Sequence, residues 1–150
     1  MAACYLPIMT MEQSDQAINL NPGQQTSHLD RLALVVDDNF AFRSLAVALL
    51  EKRGFDVREA VDANEALVRL QNESFDLVLL DIHMPGMKGD ELCRFIRRYL
   101  GLKHLPVIAY TADGLGTCLE IAQEAGFDDV LLKPVNRAKL EQILADRFVM

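Results

Sequence analysis

Asp37 and Asp38 stand side by side at the end of one apolar run, Asp81 at the end of a second, Thr111 at the end of a third and Lys133 at the end of a fourth. Brought together, the three carboxylates would repel. Two unit charges ~4 Å apart cost roughly 4 kcal/mol at an effective dielectric near 20. Such a cluster must raise a carboxylate pKa or recruit cations. An all-oxygen set of ligands favours a hard ion, and one this small suits Mg²⁺ with waters completing the octahedron. The lysine and the hydroxyl are surplus to a pure metal site. They gain a purpose if a phosphoryl group also arrives, its oxygens neutralised by Mg²⁺ and Lys133 and hydrogen-bonded by Thr111. A carboxylate in that position could act as a nucleophile and become an acyl phosphate.

For these residues to meet, the chain must carry four run-ends to one rim. Residues 32–36, 55–60, 75–80, 106–110 and 130–132 read as strands, the third a continuous apolar run of the kind buried on both faces. Between them, residues 40–53, 63–71, 90–100, 115–125 and 136–148 read as helices. In the first helix Phe42, Leu45, Ala46, Leu49 and Leu50 form the inward stripe, with Asn39 as N-cap and Gly54 as stop. In the second, Ala66, Leu67 and Leu70 face inward. Strict alternation of five strands with five helices predicts a single doubly wound (βα)5 domain, an α/β fold with a parallel sheet; the order expected for it is the flavodoxin-like 2-1-3-4-5. Ligands in such sheets bind beyond the carboxyl ends of the strands, which is where the five candidate residues fall.

Composition excludes several classes. The chain is 51% hydrophobic and 25% charged, enough to build a core. No run of 18 apolar residues occurs, which argues against membrane insertion. With 15 basic and 22 acidic residues the net charge is −7, which disfavours direct nucleic-acid binding. Cys4, Cys93 and Cys118 show no metal or disulfide spacing and fit a reducing cytoplasm, with Cys93 and Cys118 as small core residues. His28, His83 and His104 are scattered and are not read as metal ligands. Residues 1–30 contain no Lys or Arg and no secretory signal. They read as a disordered tail or linker, with a short docking segment around residues 5–11 as the alternative, and residues 31–150 as the domain. No Walker A loop or G-x-G-x-x-G follows the first strand, and position 83 is His where a haloacid-dehalogenase-type phosphatase would need a second acid.

The segments VVDDN (35–39), LLDIHMPGMKG (79–89), YTA (110–112) and LLKP (131–134) resemble the receiver domain of two-component response regulators, the CheY-like family. The resemblance covers residues 31–148 and leans towards the receivers of hybrid kinases and phosphorelays. It implies that Asp81 is the phosphoacceptor and that Asp38 and Asp81 ligate Mg²⁺ directly. The backbone carbonyl of His83 would help, and Asp37 would act through water. Thr111 resembles the switch hydroxyl and Lys133 the phosphate-binding lysine, followed in this family by a cis bond to Pro134. His83 and Asp113 would border the path of the hydrolytic water. One departure stands out: receivers often carry Tyr or Phe where this chain has Val130, which leaves output to backbone movement or to Tyr110. Lys88, where an acidic or amide residue is common, reads as a solvated charge.

The expected function is a cytoplasmic phosphoacceptor domain that receives its phosphoryl group from a histidine kinase or a histidine phosphotransfer protein. It would catalyse only its own phosphorylation and slow dephosphorylation. With no output domain expected after residue 150, it would pass the phosphoryl onward, act as a phosphate sink or bind a downstream protein through the fourth and fifth helices. The alternative is an interaction module on the same fold with vestigial phosphorylation.

Overall fold

The structure, a computed structural model, describes residues 31–148. The expectations for Cys4, His28 and the rest of residues 1–30 lie outside the described residues. Ten elements alternate: β1 (Leu32–Val36), α1 (Phe40–Lys52), β2 (Asp56–Ala60), α2 (Ala63–Asn72), β3 (Leu77–Asp81), α3 (Gly89–Arg98), β4 (Val107–Thr111), α4 (Leu115–Ala125), β5 (Asp129–Leu132) and α5 (Arg137–Arg147). The sheet runs β2-β1-β3-β4-β5, and every pairing is parallel. This is the expected flavodoxin-like order. No helix among the described residues is long and apolar enough to cross a membrane.

Local chemistry starts and stops these elements as the residue types demand. The side-chain oxygens of Asn39, Asp62 and Asn136 accept from the amides of Phe42, Glu65 and Lys139, satisfying orphan donors at the starts of α1, α2 and α5. Gly126, at a φ of 96°, ends α4 in the left-handed conformation that only glycine adopts without strain.

Strand alternation then feeds two cores. Val35, Leu79, Ile108 and Leu131 pack with Ala46 and Leu50 of α1 and Leu140 and Leu144 of α5. Leu34, Val36, Val78, Leu80 and Val107 pack on the other side with Ala66 and Leu70 of α2 and Leu92 and Ile96 of α3. Each fully buried leucine is worth about 1.5–3 kcal/mol relative to exposure. Cys93 and Cys118 are both buried, as expected of small core residues.

Several boundaries differ from expectation by one or two residues, and the shifts matter at the site. Phe75 and Pro106 lie outside their strands, while Asp81 and Thr111 are the last residues inside theirs. Asp76 works as an edge fastener instead, its carboxylate accepting from the Leu32 amide at 2.8 Å. Leu45, expected on the inward stripe of α1, is 41% exposed. The buried face of that helix is narrow and centred on Ala46 and Leu50, so Leu45 falls on its margin. Lys88 is exposed, as expected of a solvated charge.

The loop after β3 is set by a close approach. A Cβ on Gly89 would lie 1.9 Å from the Asp81 carbonyl oxygen, while the Gly89 amide donates to the Ile82 carbonyl at 2.8 Å. No side chain fits between α3 and the backbone that carries Asp81. Gly89→Ala is therefore expected to lose about 2–3 kcal/mol and at least about 6 °C in melting temperature. Gly116→Ala, in the first turn of α4 with nothing within 4 Å of its Cβ, should be neutral or stabilising. Equal thermal melts for the two variants would contradict this account.

Candidate functional site

Sheet order reverses between β1 and β3, because β2 lies on one side of β1 and the later strands on the other. The carboxyl ends of β1 and β3 therefore flank the crevice where ligands bind in such sheets. Asp37 and Asp38 follow β1, and Asp81 closes β3. One carboxylate oxygen from each lies within 4.8 Å of the others, and this is the single such cluster of three among the described residues. Asp37 is fully buried, Asp81 is 3% exposed, and Asp38 faces outward.

Lys133, just beyond β5, reaches into the cluster. Its Nζ is 2.7 Å from Asp37 Oδ2 and 3.2 Å from Asp81 Oδ2, with the side chain only 6% exposed. The other oxygens are held by the backbone: Asp37 Oδ1 accepts from the Asn39 amide at 2.9 Å, and Asp81 Oδ1 from the His83 amide at 3.1 Å. These turns lock both carboxylates in place. Asp37 Oδ2 has its charge contact with Lys133 but no well-directed hydrogen bond. A buried oxygen in that state retains lone pairs for a cation or its water. The donor set is all oxygen, and three carboxylates against one ammonium leave the pocket negative. The residues thus fit a hard divalent ion.

The same crowding acts on Asp81. Burial raises its carboxyl most, Lys133 pulls it down, and the Asp37 charge raises it again, giving a value of about 6 against an ordinary 3.8. The carboxylate is charged at neutral pH, and a further cation would relieve it.

Asp38, Asp81, His83 and Lys133 line one pocket, together with Asn39 and Phe42. Thr111 is fully buried, and its Oγ1 accepts from the Asp113 amide at 3.1 Å. Neither Thr111 nor Asp37 lines that pocket: both stand behind its wall. The His83 ring contacts the Asp113 carboxylate through Nε2 and Oδ2, joining the β3–α3 and β4–α4 loops. Val130 is buried in a cluster with Ile82, Ala109, Cys118 and Ala122. The Lys133–Pro134 peptide is cis, as the resemblance implied.

Two residues escaped sequence reasoning. Arg43, on α1, donates from Nη1 to the Asp37 carbonyl at 2.9 Å and pairs through Nε with Glu59 at 2.8 Å. It clamps the turn that presents Asp37. Phe42, read only as part of a helix stripe, sits with its ring beside Lys133. A basic residue one turn into a helix that starts at an acidic pair was the available signal for Arg43. Nothing in the spacing marked Phe42.

Residues 33–145 match the response regulator receiver domain family. The chain is 38% identical over 132 residues to the CAI-1 autoinducer sensor kinase/phosphatase CqsS of Vibrio cholerae, covering 86% of this chain and 19% of that protein. It is 39% identical over 127 residues to the sensor histidine kinase AruS of Pseudomonas aeruginosa, covering 83% of this chain and 12% of that protein. The chain thus spans less than a fifth of the length of either relative. Among solved structures, the chemotaxis protein CheY4 of Vibrio cholerae superposes with a TM-score of 0.73 at 28% identity, covering 79% of this chain and 99% of that one.

The raised Asp81 value has a consequence for stability. Between about pH 4 and pH 6 the native protein binds more protons than the unfolded chain, whose Asp81 titrates at the ordinary 3.8. Stability contributed by the protonated form is complete below the lower value and is lost as pH rises through the upper one. Without metal, Asp81→Asn should therefore melt above the wild type at pH 7.5, by roughly 1–2 kcal/mol or about 3–10 °C. The gap should close as pH falls to 4. A gap that is absent, or that widens on acidification, would refute the assignment of strain to this carboxylate.

Proposed function

The chain belongs to the response regulator receiver family, as a receiver domain of the two-component and phosphorelay type, and from that premise we propose that Asp81 is its phosphoacceptor and that its pocket takes Mg²⁺. The observation that carries this reading is the near-buried Asp81 carboxylate, shared with Lys133 and within 4.8 Å of two further carboxylates. The donor is a phosphohistidine on a histidine kinase or phosphotransfer partner.

An Asp81 oxygen attacks phosphorus. The new P–O bond forms as the P–N bond breaks, its electron pair remaining on the imidazole nitrogen, which then takes up a proton. The product on this chain is an acyl phosphate. When bound, Mg²⁺ supplies positive charge against the oxygens of the transferring group. Asp38 and Asp81 would hold it directly with the His83 carbonyl, and Asp37 through water. Lys133, a compact charge with three donors, shifts its contact from the Asp81 carboxylate to a phosphoryl oxygen. The Thr111 hydroxyl can keep accepting from the Asp113 amide while donating its own hydrogen to the phosphoryl group. Because the Thr111 hydroxyl also holds the Asp113 amide, that bond couples the β4–α4 loop to the phosphoryl group. A downstream protein then reads α4, β5 and α5, where Leu119 and Leu132 are 43% and 38% exposed beside Val130 and Pro134.

Acetyl phosphate with Mg²⁺ should add one phosphoryl group by intact-mass measurement. Asp81→Asn and removal of the metal by a chelator should each abolish the addition. Labelling of Asp81→Asn at the wild-type rate would overturn the assignment.

The contact between His83 and Asp113 screens the acyl phosphate from water by tying two loops across the pocket mouth. His83→Ala and Asp113→Ala should each shorten the lifetime of the phosphorylated form at least about threefold. Decay within about twofold of wild type, ~0.4 kcal/mol in barrier, would exclude that role.

A further inference from the structure

The ammonium of Lys133 is held by more than its two carboxylates. Its Nζ lies over the Phe42 ring, 4.9 Å from the centroid, and over the Tyr110 ring at 5.2 Å. Both distances fall within cation–π range, and the attraction is strongest where water is excluded. The Lys133 side chain is 6% exposed; Tyr110, fully buried, shields the ammonium on one side, and Phe42, partly buried, lies on the pocket side.

The two rings come from different elements. Phe42 belongs to the first turn of α1, and Tyr110 to β4, one residue before Thr111. They are fastened to each other: the Tyr110 hydroxyl donates to the Phe42 carbonyl at 3.1 Å. On β5, by contrast, Val130 packs among small apolar side chains and offers no ring. Among the described residues, these two rings are the ones recorded over the Lys133 ammonium.

We propose that Phe42 and Tyr110 are positioning residues for phosphoryl transfer, a pair of rings that seats the Lys133 ammonium while negative charge moves from Asp81 onto the incoming group. This rests on the phosphoacceptor reading above. Its physical basis is the kind of attraction a ring face provides. A carboxylate holds an ammonium through directed hydrogen bonds, and the nearer carboxylate here is Asp37, at 2.7 Å against 3.2 Å for Asp81. Left to those two, the lysine on its flexible stem would settle on Asp37. A ring face attracts the whole charge without fixing the direction of any N–H. The ammonium can therefore turn its donors from carboxylate to phosphoryl oxygen without losing the seat.

Phe42→Leu keeps an apolar side chain and removes the ring, while Phe42→Tyr restores it. Phe42 is only partly buried, so both should fold, and melting temperatures near wild type will establish that; Phe42→Met serves as a second ring-free variant. With acetyl phosphate and Mg²⁺, the ring-free variants should label Asp81 roughly tenfold more slowly, about 1.4 kcal/mol in barrier, and Phe42→Tyr within about twofold of wild type. The independent readout is the side-chain NMR signal of Lys133 in the unphosphorylated, metal-free chain, assigned by its loss in Lys133→Arg. Ring currents should displace it in wild type and Phe42→Tyr, and the displacement should shrink in Phe42→Leu and Tyr110→Leu. Unchanged labelling in the ring-free variants, or a Lys133 signal indifferent to them, would overturn the proposal. A wild-type protein that takes no phosphoryl group would instead overturn the phosphoacceptor reading, and the NMR signal would still decide whether the rings seat the lysine.

Discussion

A buried ammonium shared between two carboxylates is the contact around which this molecule is arranged. Lys133 bridges Asp37 and Asp81, and neither acid would tolerate its place without it. Burying a charge is expensive unless it is paired and hydrogen-bonded. Here the pairing is incomplete by design: one ammonium faces three acids. Burial, with the neighbouring Asp37 charge only partly offset by Lys133, raises Asp81 to about 6 and leaves the pocket attractive to a cation. In the proposed function, the same imbalance that strains the resting site favours transfer of a phosphoryl group to Asp81.

The rest of the fold keeps that imbalance from relaxing. β1 and β3 are central strands covered on both faces, so the residues that follow them cannot swing outward without disturbing two cores. Backbone amides of Asn39 and His83 hold the carboxylates from below, and Arg43 clamps the Asp37 carbonyl from α1. Gly89 lets α3 approach the Asp81 carbonyl more closely than any side chain would permit. The hydrogen bonds contribute about 1 kcal/mol each by ordinary values, and all of these contacts act on the same few atoms. On the other side of the site, Thr111 closes β4 and its hydroxyl accepts from the amide of Asp113 in the β4–α4 loop.

A domain of this kind is a separable module. The sensor kinases it resembles are several times longer than the chain, and the receiver accounts for a small part of each. Among the described residues, every residue of the site comes from β1, β3, β4, β5 or the loops and helix that follow them.

Much of this was legible from residue types alone. Alternating apolar periods of two and of three to four specified strands and helices, and their alternation required a parallel sheet; the placement of Asp37, Asp38, Asp81, Thr111 and Lys133 at run-ends followed, because parallel strands put all their carboxyl ends on one side. Periodicity reports which face of an element is apolar but not how wide its contact is, which is why Leu45 was expected inside and lies on the margin. It cannot tell which of two neighbouring acids is buried: Asp37 is sealed and Asp38 open because the turn after β1 points them opposite ways. Nor can it place a ring over a charge. Phe42 and Tyr110 are 68 residues apart, and only the packing of α1 against β4 brings both faces to Lys133. The sequence alone determined the elements, the parallel doubly wound layout and the chemical types at the rim, since those follow from local pattern and the alternation of elements. The tertiary structure alone decided burial, pairing and the lysine's seat, since those depend on distances between residues far apart in the chain.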